Sequence, residues 1–198
     1  MRKIHFILFA VLFFGAVSLQ AQDEFKHEVS FGGGYFASSE VLDFCTEASS
    51  VAGTFGSVEY DNKSFTPPIS LEYFYHLSPL VGVGGIAVYT HGKRDIVDRV
   101  DAYVGKLTTD YITVMPAAKF NWLRKMNWGL YSKVGAGVSF RKEKSRVMGE
   151  GSHTENDVIF NFQATLIGVE AGSSDYRGFI ELGLGEQGII NAGVRLRF

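Results

Sequence analysis

The chain is poor in the residues that build several other kinds of protein. Its 198 residues include one cysteine, four prolines and two tryptophans. A single thiol, Cys45, excludes an intramolecular disulfide framework and a cysteine-based zinc cluster. So little proline, beside 46% hydrophobic residues, excludes a disordered or collagen-like chain. The formal charge is −2, so no basic excess points to nucleic acid. Beyond the N-terminus no apolar run is long enough for a transmembrane helix. What is abundant is glycine, 23 residues, with 17 phenylalanines and 9 tyrosines. Many glycines and aromatics with few prolines suit strands in close backbone contact.

The first segment reads as an address. Arg2 and Lys3 make a positive start, residues 4–17 are almost wholly apolar, and Ala21 is a small residue at a cleavage position. That is the layout of a secretory signal peptide, residues 1–21, leaving residues 22–198 as the mature domain. An N-terminal anchor would need about 20 apolar residues, more than this run supplies. No cysteine stands directly after the cleavage position to carry a lipid. All 21 acidic residues follow Gln22 while Arg2 and Lys3 precede it, so the mature chain is the more acidic part.

Period-two alternation runs through the rest. Ile190, Ala192, Val194, Leu196 and Phe198 share one face; Asn191, Gly193, Arg195 and Arg197 share the other. Over 129–141, Leu130, Val134, Ala136, Val138 and Phe140 oppose Tyr131, Lys133, Gly135, Gly137, Ser139 and Arg141. Residues 69–77, 112–122, 158–166 and 180–185 alternate in the same way, and 29–36 and 81–90 do so more faintly. Short connections fall at Ser78-Pro79, 124–127, 172–176 and 186–188, and long ones at 37–63, 91–108 and 142–155. Tight turns at one end and longer loops at the other are the layout of outer-membrane barrels. The expected fold is all-β, a transmembrane antiparallel up-and-down barrel of eight strands.

Alternation alone does not say which face points outward, because a secreted ligand-binding barrel also alternates. Three features favour lipid outside. The polar face mixes long charges with glycines, which suits the crowded interior of an eight-stranded barrel. Trp122 and Trp128 bracket the turn holding Arg124 and Lys125, as interface aromatics do. Eight strands can close, leaving no edge of unpaired amides in hydrocarbon. Inside, Glu72 and Glu181, with Glu28 as a further candidate, are expected to pair with Lys119, Lys133, Arg141, Arg195 and Arg197.

Residues 191–198, apolar at every second position and ending in an aromatic, look like the C-terminal assembly signal of Gram-negative outer-membrane barrels. The mature chain resembles the small eight-stranded class that includes OmpX and the membrane domain of OmpA. The resemblance implies export, handover by periplasmic chaperones to the barrel assembly machinery, which reads Val194, Leu196 and Phe198, and insertion among outer-membrane lipid and lipopolysaccharide. It implies a cell-surface monomer without cofactor or metal. Its role would be non-enzymatic, structural or in surface interaction through extracellular loops, since this class hosts many roles. No peptidoglycan-binding domain follows Phe198, so the cell-wall tether of OmpA is expected to be missing.

Other motifs look like chemistry. Residues 183–188, Gly-Leu-Gly-Glu-Gln-Gly, match the dinucleotide fingerprint, but that motif needs a following helix and the remaining residues alternate as a strand. Residues 82–87 are a similar decoy. Ser152 and His153, with Glu150 and Glu155 nearby, would be the set for the enzyme alternative, a lipid A-modifying barrel; neighbours on one loop are poorly placed for a nucleophile and its base. His76 is expected inward near the periplasmic end, and His27 and His91 lack metal-ligand spacing. Acidic residues 40, 43, 47, 59 and 61 in the first loop and basic residues 141, 142, 144 and 146 in the third can pair across the mouth, or the basic stretch can meet lipopolysaccharide phosphates. Cys45 in the first loop reads as a partly buried inert thiol, with an intermolecular disulfide as the alternative. A diffusion porin takes about 16 strands, more than this chain holds.

Overall fold

The alternating segments close on themselves. The computed structural model describes residues 25–37, 58–98, 103–147 and 151–198. Residues 1–21 and Cys45 lie outside these. The described chain forms β1 (His27–Tyr35), β2 (Val58–Phe65), β3 (Ile69–His76), β4 (Val81–Asp98), β5 (Tyr103–Arg124), β6 (Trp128–Val147), β7 (Gly151–Gly172), β8 (Tyr176–Gly185) and β9 (Ile190–Arg197). Neighbours pair antiparallel from β3 to β9, and β1 pairs with both β3 and β9, so the ring is shut. β2 and β3 are two parts of one stave: β3 pairs with β4 over Gly82–Tyr89, and β2 with its continuation from Gly92. Pro67 and Pro68 divide them, because proline has no N–H to give to a ladder. The ring therefore has the eight staves that the sequence predicts.

The polarity is inverted relative to a water-soluble domain. Phe31, Leu71, Val134, Phe160, Leu184 and Val194 face outward and are 50–72% exposed. Glu28, Glu72, Lys119, Lys133 and Arg195 face inward and are 0–2% exposed. Among the described residues an apolar patch inside gathers Phe74, Ile86, Val88 and Met115 on β3, β4 and β5.

Two expected loops are largely strand. Residues 91–108 instead continue β4 to Asp98 and start β5 at Tyr103; residues 142–155 continue β6 to Val147 and start β7 at Gly151. β2 likewise occupies part of the 37–63 connection. The ladder there runs on in register, pairing Asp110 with Lys142 and Lys142 with Asn156. Hydrogen bonding of the backbone continues where the apolar period stops, so the hydrophobic pattern shows only the lower half of each hairpin. The wall is consequently tall over β4–β7 and low over β8, β9, β1 and β3. Residues 151–161 of β7 pair with β6 on one side and, among the described residues, with no strand on the other.

A second departure lies in β7. The sequence keeps one alternation over 158–166, but the pairing shifts between Thr165 and Ile167. Leu166 and Ile167 both face outward, at 68% and 47% exposure. A bulge of this kind resets the phase, and it turns Gly168 and Glu170 inward. Gly168 then lies beneath the Tyr131 ring, where an added Cβ would sit 2.4 Å from Cζ. Gly168→Ala is expected to displace Tyr131 and cost about 1–3 kcal/mol as overpacking, read as a lower urea midpoint.

Candidate functional site

Each inward position of a narrow barrel meets the strands across the lumen, so residues distant in sequence converge there. Four glutamates from four strands anchor the cluster. Glu28 of β1 accepts from Lys119 Nζ at 2.7 Å and lies 3.0 Å from Arg195 Nε and 3.3 Å from His76 Nε2. Glu72 of β3 accepts from Lys133, and from Gln187 Nε2 at 2.6 Å. Glu181 of β8 lies 2.8 Å from Lys133 Nζ and accepts from the Tyr131 hydroxyl at 2.6 Å and Asn191 Nδ2 at 3.1 Å. Glu170 of β7 accepts from Arg195, from Arg197, and from Arg177 NH1 at 3.1 Å.

Arg195 is the hub. It contacts Glu28 and Glu170, lies 3.8 Å from Glu72 and from Glu181, and donates to Ser30 Oγ at 2.9 Å and Tyr131 Oη at 3.1 Å. Its guanidinium also lies over the Tyr131 and Phe179 rings, at 4.6 and 4.7 Å. Burying so many charges is tolerable only when each is paired and hydrogen-bonded. The arrangement fills the lumen, and Arg195 alone ties β9 to β1, β3, β6, β7 and β8.

Both ends of the cluster are covered. At the tall end the turn between β8 and β9 dips inward: Glu186 and Gln187 are buried, Gln187 N–H donates to Gln163 Oε1 at 2.8 Å, and Asn161 Nδ2 donates to Glu186 Oε2 at 2.7 Å. This is the stretch that imitates a dinucleotide fingerprint. Its last two glycines are required by the turn, with φ +131° at Gly185 and +95° at Gly188. At the short-turn end Phe25 lies edge-on to His76, 4.9 Å away, and Arg124 and Arg197 each lie 4.2 Å from its ring. Arg177 ties the neighbouring turns, donating to the carbonyls of Lys125 and Met126 at 2.9 and 2.8 Å.

The structure thus brings together Glu72, Lys119, Lys133, Glu181, Arg195 and Arg197, together with Glu28. Arg141 is elsewhere: it pairs with Glu143 and lies 3.6 Å from Asp157, near the tall end. It shares the inward face of β6 with Lys133 but sits eight residues along the strand, about 26 Å at 3.3 Å per residue. Trp122 and Trp128 face outward beside the 125–127 turn, each 43% exposed, and Trp122 Nε1 donates to Ser132 Oγ at 2.8 Å. Val194, Leu196 and Phe198 also face outward on the last strand, and Phe198 stacks on His27 at 5.4 Å. Ser152 and His153 are consecutive residues of β7, not a loop, and His153 lies opposite Ser145.

Sequence reasoning missed Glu170 and Arg177. The adjacent apolar pair Leu166-Ile167 was the available signal for Glu170, since it breaks the alternation. Extending the β8 alternation back from Glu181 through Phe179 reaches Arg177. It also missed that His91 Nδ1 lies 2.6 Å from Asp110 Oδ1, which accepts from the Tyr89 hydroxyl at 2.9 Å. Among the described residues no group of three or more His, Cys, Asp or Glu is placed to hold a metal, and no helix is long and apolar enough to cross a membrane.

No protein-family model matches the chain, and no curated protein does. Solved structures do. The chain is similar to Ail, the attachment invasion locus protein of Yersinia pestis, at 14% identity and a TM-score of 0.42, over 89% of this chain and 96% of that one. It is similar to the N-terminal β-barrel domain of Pseudomonas aeruginosa OprF at 14% identity and a TM-score of 0.40, over 89% and 100%. The translocator domain of the Neisseria meningitidis autotransporter NalP matches at 11% identity and a TM-score of 0.35, over 100% and 95%.

Proposed function

We propose that this chain is an outer-membrane barrel with a sealed lumen that works non-enzymatically, by presenting the tall side of its wall at the cell surface. Residues 1–21 would direct export and be removed, and Val194, Leu196 and Phe198 would be read during assembly. The observation that carries the reading is the inverted polarity, with apolar side chains around the outside and paired charges within. A closed ring suits hydrocarbon, where an unpaired amide costs several kcal/mol. The filled lumen argues against a diffusion pore. The short turns would face the periplasm, and the β4–β7 hairpins would stand outside. There, among the described residues, 153–160 of β7 have β6 as their one strand neighbour, and the other side would offer backbone amides to an extended partner segment, a mode of recognition that needs a sheet edge.

The test is accessibility from either side. In a Cys45→Ser background, Lys144→Cys is expected to react with a membrane-impermeant maleimide on intact cells. Asn127→Cys should react only after the outer membrane is opened. Labelling of Asn127→Cys alone on intact cells would reverse the orientation and remove the surface role.

A further inference from the structure

The outer wall changes character abruptly at its tall side. Tyr89, Ile112, Phe140 and Val158 form an apolar floor across β4–β7, in a groove of about 550 Å³ that Lys142, Asn156, Asp110, Arg141 and Asp157 also line. Above the floor, the outward face of β6 carries Lys142, Lys144 and Arg146, all exposed. The register sets them beside neutral residues of β7: Lys142 by Asn156 and Lys144 by Thr154. On the other side Lys144 meets Thr108 and Lys142 meets Asp110; Asp110 accepts from Tyr89, lies against His91 and also attracts Lys144, so the three β6 cations face one carboxylate that is shared with His91. The inward-facing positions of the same strands carry Arg141 with Glu143, Glu155 and Asp157, so acids outnumber bases there while the outer face of β6 is cationic.

We infer that this wall is a binding site for a phosphorylated glycolipid of the outer leaflet, its acyl part on the apolar floor and its phosphates on the β6 cations. The inference rests on the membrane reading above. The spacing favours more than one phosphate. Lys142 to Arg146 spans about 13 Å of strand at 3.3 Å per residue, further than the single phosphate of a glycerophospholipid reaches. A headgroup with anionic groups stacked along the membrane normal matches that column.

The experiment uses the whole mature barrel in nanodiscs, with bisphosphorylated lipid A and phosphatidylglycerol as competing probes and native mass spectrometry as readout. Wild-type protein should retain lipid A in preference to phosphatidylglycerol. Lys142→Glu with Lys144→Glu should weaken retention at least about tenfold, from the charge lost near an anionic surface, and the double glutamine variant should fall between. Lys125→Glu, at the opposite end, should behave as wild type. Equal retention by wild type and both double variants would overturn the site. So would equal retention of the two lipids. Each variant is first shown to run as a compact band on an unheated gel. A wild-type chain without that band would overturn the membrane reading, and the proposal with it.

Discussion

Arg195→Met should lower stability by about 3–5 kcal/mol, the cost of breaking a buried ionic cluster by removing one partner. Methionine matches much of the aliphatic length but supplies no charge and no donor. Glu28 and Glu170 each lose a direct partner, Ser30 and Tyr131 lose a hydrogen bond, and Glu72 and Glu181 lose a cation 3.8 Å away. Because these acids come from β1, β3, β7 and β8, the loss falls on ring closure and not on one hairpin. Urea unfolding of the refolded barrel, followed by tryptophan fluorescence, measures it. Lys125→Met, in an exposed turn, is the control and should change stability by no more than about 0.5 kcal/mol. Equal midpoints for the two variants would show that the buried network contributes little.

Val134→Arg tests the opposite face. Val134 is 50% exposed, and on a water-facing surface such a change is worth within about 0.5 kcal/mol. On a lipid-facing strand near the bilayer midplane it should cost about 2–4 kcal/mol. The same substitution therefore distinguishes the two solvents. The measurement is the shift in urea midpoint in phospholipid vesicles, compared with the shift in a thin detergent micelle, where the cost should be smaller. A neutral Val134→Arg in vesicles would place water against β6.

How much of this was legible depended on which physical force fixes each element. β9 was fully readable, because Ala192, Val194 and Leu196 face outward while Arg195 and Arg197 are buried among the lumen's carboxylates, and side chains record that contrast. The upper halves of β4–β7 were not, since polar residues stand on both faces there and no regular apolar period marks a strand that the backbone ladder continues. Glu170 was hidden by a single-residue shift at Thr165–Ile167, which inverts every later position of the strand. Arg141 was misplaced for the related reason that alternation assigns a face but not a height. Its side of the sheet was read correctly, but its partners were set by where along β6 the lumen ends. Glu186 and Gln187 belong to a turn that folds into the lumen, and no periodicity signals that.

The most direct test of the central claim is electrophoretic mobility of the mature protein from fractionated cells, unheated and boiled. A closed lipid-embedded barrel should appear in the outer-membrane fraction as a compact, fast band that slows on boiling. A single band of unchanged mobility in the soluble periplasmic fraction would contradict it, and would mean that the apolar face is turned away from lipid.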